Sequence, residues 1–191
     1  LIWADYDEMP SYLIKATVAA EDKRFWPHQG VDFTRTIYAT VKFLTDNTDG
    51  GGSTITQQLI KNATGHNEVR IDRKVKEIFN ALAMEKKYSK QQILEAYLNV
   101  IAFGYNTYGV QAAANMYFDK DVSELTVNEC ASLIAITNNP SYYEPFGHME
   151  NNNERREYVL NEMKKLGYIS QDEKDALAAT PIVTSKGQTS N

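Results

Sequence analysis

Apolar positions recur every three to four residues along most of the chain, the period of helices buried on one side. The pattern predicts helices over roughly 11–25, 33–45, 54–63, 71–87, 90–100, 109–117, 123–137, 151–166 and 171–179. No run of alternating β-branched residues is long enough for a sheet. Ser89 ahead of Gln92, Ser170 ahead of Glu173 and Thr54 ahead of Gln57 each read as a capping box, in which two side chains satisfy orphan N–H groups at a helix start. Gly167 fits the stop of a helix ending at Leu166. A turn-rich stretch at 46–53 separates two helices, a Pro/Tyr-rich segment runs over 138–147, and the last ten residues read as a linker. No internal repeat is present. The expectation is one mostly α domain over 1–180, followed at 181–191 by a linker or the start of a further domain.

Composition narrows this picture. A length of 191 residues suits one domain at about 150 residues each. A net charge of -5 argues against general nucleic-acid binding. The single cysteine, Cys130, excludes an internal disulfide framework and a Cys-rich zinc site, and reads as a small buried hydrophobe. His28, His66 and His148 are too scattered to suggest a metal site, and no metal ligands are assigned. No run approaches the roughly 18 apolar residues of a spanning helix. The chain starts at Leu1 without a methionine and ends in a polar stretch, so both ends read as cut from something longer.

Three segments carry chemistry. If the first helix runs to Phe25, then Ile14, Val18, Glu21 and Phe25 share one stripe, which places Glu21 on an apolar face while Asp22 points elsewhere. Desolvation there would raise a carboxyl pKa toward the range useful for proton transfer; a helix that frays early would leave Glu21 solvated. Next, Gly50-Gly51-Gly52-Ser53-Thr54-Ile55-Thr56-Gln57-Gln58 enters a helix carrying Lys61. Glycines admit close backbone approach and a helix start attracts anions, so this run suits a phosphate or a sugar, or is a loop with a well-capped helix. It lacks the Gly-Lys-[Ser/Thr] of a Walker A loop. Finally, Ile71, Val75, Ile78 and Leu82 form an expected buried stripe, with Arg70, Arg73, Lys74 and Glu77 gathered on the other side. A carboxylate among three cations stays ionised, unless the run is simply a solvated, salt-bridged face.

Two carboxylates in unlike environments suit sugar-transfer chemistry. A glycosidase must protonate a poor leaving group. A transferase using a pyrophosphate-activated sugar needs one base and a cationic cradle instead, and Lys61, Arg73, Lys74 and Lys76 match that second scheme better.

These residues also carry a family resemblance. Glu21-Asp22-Lys23-Arg24-Phe25-Trp26-Pro27-His28-Gln29-Gly30 resembles the first motif of the family 51 glycosyltransferases, the peptidoglycan glycosyltransferase domains of class A penicillin-binding proteins and their monofunctional relatives. Gly51 to Gln58 resembles the second motif, Arg73-Lys74-Val75-Lys76-Glu77 the third, and Lys90-Gln91-Gln92-Ile93-Leu94-Glu95-Ala96-Tyr97-Leu98-Asn99 the fourth. The stretch before Pro140 and on to Pro145 is a looser version of the fifth. Two departures stand out: Asp119 follows Phe118 where a glycine is common, and Thr137-Asn138-Asn139 is an atypical approach to Pro140.

The resemblance implies a mainly α, lysozyme-like, two-lobed helical domain with a cleft and a small membrane-facing lobe. It implies that lipid II is polymerised into β-1,4-linked glycan, with inversion at C1 of N-acetylmuramic acid and release of undecaprenyl pyrophosphate. By resemblance Glu21 is the base and Glu77 the second essential carboxylate. Lys61, Arg73 and Lys76 would hold phosphates, with a divalent cation (Mg or Mn) as a candidate cofactor, and Lys74 counts among the substrate-binding residues. Arg24, Ser53, Thr54, Gln57 and Gln58 would shape the donor side, where moenomycin-type phosphoglycolipids compete. Its partners would be lipid II, the growing strand, and the membrane surface through an N-terminal anchor and residues 33–44. There Phe33, Ile37, Val41 and Leu44 form an apolar stripe near Arg35 and Lys42, a pattern equally read as a core-packing helix. A missing transpeptidase domain and a place on the extracytoplasmic face of the bacterial cytoplasmic membrane follow by the same resemblance. His28 reads as structural. The rival readings are a lysozyme-like glycan hydrolase and an inactive glycan-binding scaffold.

Overall fold

The computed structural model describes residues 2–46, 51–65 and 71–189, and among these it is helical, with two isolated β-bridges. The chain divides into two compact units, Leu1–Lys23 with Leu98–Asn191 and Arg24–Tyr97. The helices are α1 (Ser11–Glu21), α2 (Phe33–Asp46), α3 (Ile55–Thr64), α4 (Ile71–Lys87), α5 (Lys90–Val100), α6 (Val110–Phe118), α7 (Val127–Asn138), the single turn α8 (Pro140–Tyr143), α9 (Met149–Lys165) and α10 (Gln171–Ala179).

In the first unit α7 is the centre, with every residue from Asn128 to Ile136 buried. A helix buried all round needs apolar residues on every side, which Cys130, Ala131, Leu133, Ile134, Ala135 and Ile136 supply. The α1 and α9 helices pack on it and on each other, bringing Leu13, Ala16 and Val18 together with Val159, Leu160 and Met163 in the same core. Each large aliphatic side chain so buried contributes about 1.5–3 kcal/mol. Several polar groups inside are paired. Asn152 donates to Ser132 O and Tyr143 O and accepts from Ser132 Oγ at 2.7 Å. Arg156 Nη1 donates to Asn128 Oδ1 at 2.7 Å. Asn99 holds both backbone groups of Ala4, accepting its N–H and donating to its carbonyl, each at 2.8 Å.

The α7 helix starts later than its pattern predicts, because two capping boxes stand in succession. Asp121 with Glu124 caps a 3-10 turn at Val122–Glu124, and Thr126 with Glu129 then caps α7 itself. Asp119, one of the two departures from the resemblance noted above, closes α6 at φ 53° and ψ 43°, the left-handed geometry that Asp tolerates better than most side chains. The expected linker is hydrogen-bonded onto α6: Ser185 N–H donates to Tyr117 O at 2.7 Å and its hydroxyl to Met116 O at 2.6 Å.

In the second unit α3 packs against α4 around Val31, Ile60 and Ala81, flanked by Ile78, Leu82 and Met84. Gly30 sits at φ 101°, and a Cβ there would lie 2.5 Å from Ala81 O, so backbone meets backbone where only glycine fits. That approach sets which face of α4 turns inward. The expected buried stripe is corrected: Val75 is 46% exposed, Phe79 is exposed, and the inner face runs through Glu77, Ile78, Ala81 and Leu82. The side chain of Ile71, also in that stripe, lies outside the described residues. On α2, Phe33, Ile37, Tyr38 and Val41 are all exposed, so this stripe is not a core face of its unit. The side chain of Leu44 lies outside the described residues.

Candidate active site

Glu21 is the last residue of α1, and Asp22 closes the helix with non-helical backbone (φ -155°, ψ 77°) while donating its N–H to Val18 O at 3.0 Å. The helix therefore stops four residues before the predicted Phe25, yet Ile14 and Val18 of the stripe are buried as expected. Glu21 is half-buried, and its Oε1 is shut off from solvent. Asp22, expected to point away, is fully buried. One turn on, Lys23 pairs with the buried carboxylate of Glu162, which Lys165 also reaches at 2.8 Å. Burial works to raise the Glu162 pKa, but the bonds from Lys165 and Lys23 outweigh it and hold the group below its ordinary value.

The other ten predicted site residues lie in the unit Arg24–Tyr97. Lys74 is the hinge of one cluster: its Nζ donates to Glu77 Oε1 at 2.6 Å and to Ser53 Oγ at 2.7 Å. The Glu77 side chain is only 9% exposed and is held by one of the three expected cations, Lys74, inside rather than on the outer face. Arg73 is half-buried, and its Nη1 is shielded from water without a hydrogen-bond partner among the described residues. Lys61 and Lys76 are exposed. Arg70, part of the predicted arc, lies outside the described residues, as do Asp49 and Gly50 at the start of the glycine run.

Thr54 and Gln57 are fully buried and engaged with each other. Thr54 Oγ1 accepts the Gln57 N–H at 3.1 Å, and Gln57 Oε1 accepts the Thr54 N–H at 2.9 Å. The Thr54 hydroxyl donates to Gly30 O at 2.7 Å, tying α3 to the first motif. This leaves Gln57 Nε2 as a buried donor with no partner among the described residues. Gln58 accepts from the Tyr97 hydroxyl at 3.1 Å. Arg24 grips Asp32 with two bonds of 2.7 and 2.8 Å. Burial of Asp32 pushes its pKa up, but the Arg24 bonds, the Arg35 N–H and the guanidinium charge prevail and lower it.

Sequence reasoning did not find a second buried network in this unit. Lys90 Nζ donates to Glu85 Oε1 at 2.7 Å and to His28 O at 2.6 Å, and lies 4.4 Å from the centre of the Phe25 ring. Thr56 Oγ1 donates to Glu85 Oε1 at 2.8 Å, and the His28 ring accepts the Gly30 N–H at 3.0 Å. Glu85 follows Glu77 and Ala81 at the four-residue spacing of one helix face, which is the signal that was available for it. These bonds give His28 the structural part expected of it.

Among the described residues no three His, Cys, Asp or Glu side chains gather to hold a metal ion, and Glu77 Oε1 is already engaged by Lys74. The described residues by themselves thus offer no ready-made set of protein ligands for a divalent cation. Among the described residues no helix is long and apolar enough to cross a membrane.

Residues 1–164 match the family model described as Transglycosylase. The chain is 42% identical over 186 residues to penicillin-binding protein 1F of Bacillus subtilis, covering 96% of this chain and 25% of that protein. It is 43% identical over 180 residues to penicillin-binding protein 1A of Vibrio cholerae, covering 93% and 22%. It therefore spans about a quarter of the length of such curated relatives. The crystal structure of penicillin-binding protein 1A from Haemophilus influenzae matches with a TM-score of 0.60 at 28% identity, over 98% of this chain and 18% of that one. The helical fold seen here is the lysozyme-like fold of that glycosyltransferase domain.

Proposed function

The chain belongs to the transglycosylase family, the peptidoglycan glycosyltransferase domains of class A penicillin-binding proteins and their relatives, and from that premise we propose that it polymerises lipid II into β-1,4-linked glycan. The observation that carries this reading is the Ser53–Lys74–Glu77 cluster, a buried carboxylate held by a cation, on the helix that also carries the shielded donor of Arg73. Such a group stabilises charge as it develops at an anomeric carbon and a departing diphosphate.

In this reading Glu21 takes the proton from the 4-hydroxyl of the acceptor N-acetylglucosamine, helped by the seclusion of its Oε1 from water. The oxygen attacks C1 of the donor N-acetylmuramic acid from the face opposite the phosphate. The O4–C1 bond forms as the C1–O bond to phosphate breaks, inverting the centre. The bond's electron pair leaves with undecaprenyl pyrophosphate. Arg73, with Lys61 and Lys76, receives that negative charge. Thr54 serves the site by fixing the loop, and Arg24 by its grip on Asp32. Any Mg or Mn ion would enter with the diphosphate.

The exposed α2 face of Phe33, Ile37, Tyr38 and Val41 suits a lipid surface and supports work at a membrane; a place on the extracytoplasmic face of the bacterial cytoplasmic membrane is part of the proposal and rests on the family alone. The deciding experiment incubates the protein with labelled lipid II and sizes the product. Long strands that moenomycin suppresses are expected. Unchanged lipid II, or the shortening of preformed glycan, would overturn the proposal in favour of a scaffold or a hydrolase.

A further inference from the structure

In the unit that holds α6, the chain makes a tight hairpin just ahead of that helix, closed by the Ala102–Tyr108 bridge. Phe103 N–H donates to Thr107 O at 2.9 Å, Thr107 N–H to Gly104 O at 2.8 Å, and Gly109 N–H to Ile101 O at 2.9 Å. The Tyr117 hydroxyl donates to Phe103 O and anchors the hairpin from α6. Tyr105 and Asn106 both sit at positive φ, 48° and 56°, a backbone region that side-chain-bearing residues rarely occupy. The result is a fixed wall that turns two tyrosines outward, Tyr105 60% and Tyr108 53% exposed.

Two concavities of about 490 Å³ each meet at this wall and share Asn106, Thr107 and Tyr108. Both fall within the usual ligand range of about 300–1,000 Å³. We propose that they are adjacent pyranose subsites that grip successive rings of a glycan strand, Tyr108 standing between them. The identity of the glycan rests on the polymerase reading above; the sugar chemistry does not. An aromatic face carries partial negative charge and attracts the C–H bonds along the flat side of a sugar ring. Asn106, Thr107 and Ser141 offer groups that pair with hydroxyls and acetamides. His148 lines the same concavity with its Nδ1 held 2.8 Å from Oε1 of the buried Glu144, which leaves Nε2 for a ligand. Glu144 is itself fixed by the N–H groups of Phe146 at 2.8 Å and Gly147 at 3.0 Å. Neither concavity is lined by a lysine or an arginine, so the chemistry favours a neutral polyol over a phosphate or a lipid headgroup.

The test titrates the 191-residue chain with chitotetraose, which has neither lipid nor phosphate, and follows amide resonances. Shifts centred on Tyr105, Asn106, Tyr108 and His148 are expected, with a Kd in the millimolar range or tighter. Tyr108→Ala should weaken binding about tenfold while Tyr108→Phe retains it; should Tyr108→Ala fail to fold, His148→Ala gives the same reading. Absence of binding, shifts centred elsewhere, or wild-type affinity in both Tyr108→Ala and His148→Ala would overturn the proposal. The lipid II assay separates the two readings. Polymerisation without chitotetraose binding removes this inference alone, and binding without polymerisation removes only the polymerase reading.

Discussion

Lys74 lies 2.6 Å from Glu77, one helical turn along α4, and the same ammonium reaches Ser53 across the α3–α4 packing. Glu77→Gln is therefore expected to cut lipid II turnover by about 10²–10³-fold, the scale of losing one electrostatic stabiliser. Lys74→Ala should act through the same carboxylate, so the double variant should be little worse than Glu77→Gln alone. Steady-state rates for the two single variants and the double variant check this, and additive losses would show that Lys74 and Glu77 act separately.

Glu21→Gln keeps the shape of the side chain and removes its basicity. Turnover is expected to fall by about 10²–10⁴-fold with an unchanged circular dichroism spectrum. Near-normal polymerisation by that variant would reject Glu21 as the base.

Thr54→Ala tests a residue whose role is to hold the loop. It removes a helix cap and the donor to Gly30 O at once, and should cost about 2 kcal/mol in urea unfolding. Thr54→Ser, which keeps the hydroxyl, should recover most of that.

Acid should weaken both units through named carboxylates. Asp32 and Glu162 titrate below their ordinary values when folded, so in acid the unfolded chain binds more protons than the native one. Their contribution is whole above the unfolded carboxylate range of about 4 and fades as pH falls toward the folded values. Urea midpoints measured between neutral pH and pH 3 should show it: Glu162→Gln is expected to be less stable at neutrality and to have a shallower acid limb.

Cys130 should be inert in the native protein. Burial, and then the charge of Glu129, push its thiol up to about 12, and it has no exposed surface. Alkylation by iodoacetamide is expected only at the rate of unfolding, read by mass spectrometry with and without urea.

Local chemistry was the legible part of the fold. The α4, α5 and α10 helices have the bounds that periodicity and caps predict, because Ser89 with Gln92 and Ser170 with Glu173 form the expected boxes. The stripe through Phe25 overran the end of α1, since spacing does not register the non-helical backbone at Asp22. The rotation of α4 that exposes Val75 and brings Glu77 inside was not readable, because it follows from Gly30 meeting Ala81, residues far apart in sequence. Glu85 had a signal in its four-residue spacing from Glu77 and Ala81, but the tie from Lys90 to His28 joins points 62 residues apart and was not readable. Motif residues could be named from the chain alone, but whether a side chain such as Thr54 is spent on the scaffold emerges only from its bonds.

The paired bonds between Asn99 and Ala4 join points 95 residues apart. They copy the two-bond rung of a sheet with one side chain. Tension applied at the leading end of the chain would thus pass first to the end of α5, bypassing α1, and the helix that ends in Glu21 would be spared the pull until that rung gave way.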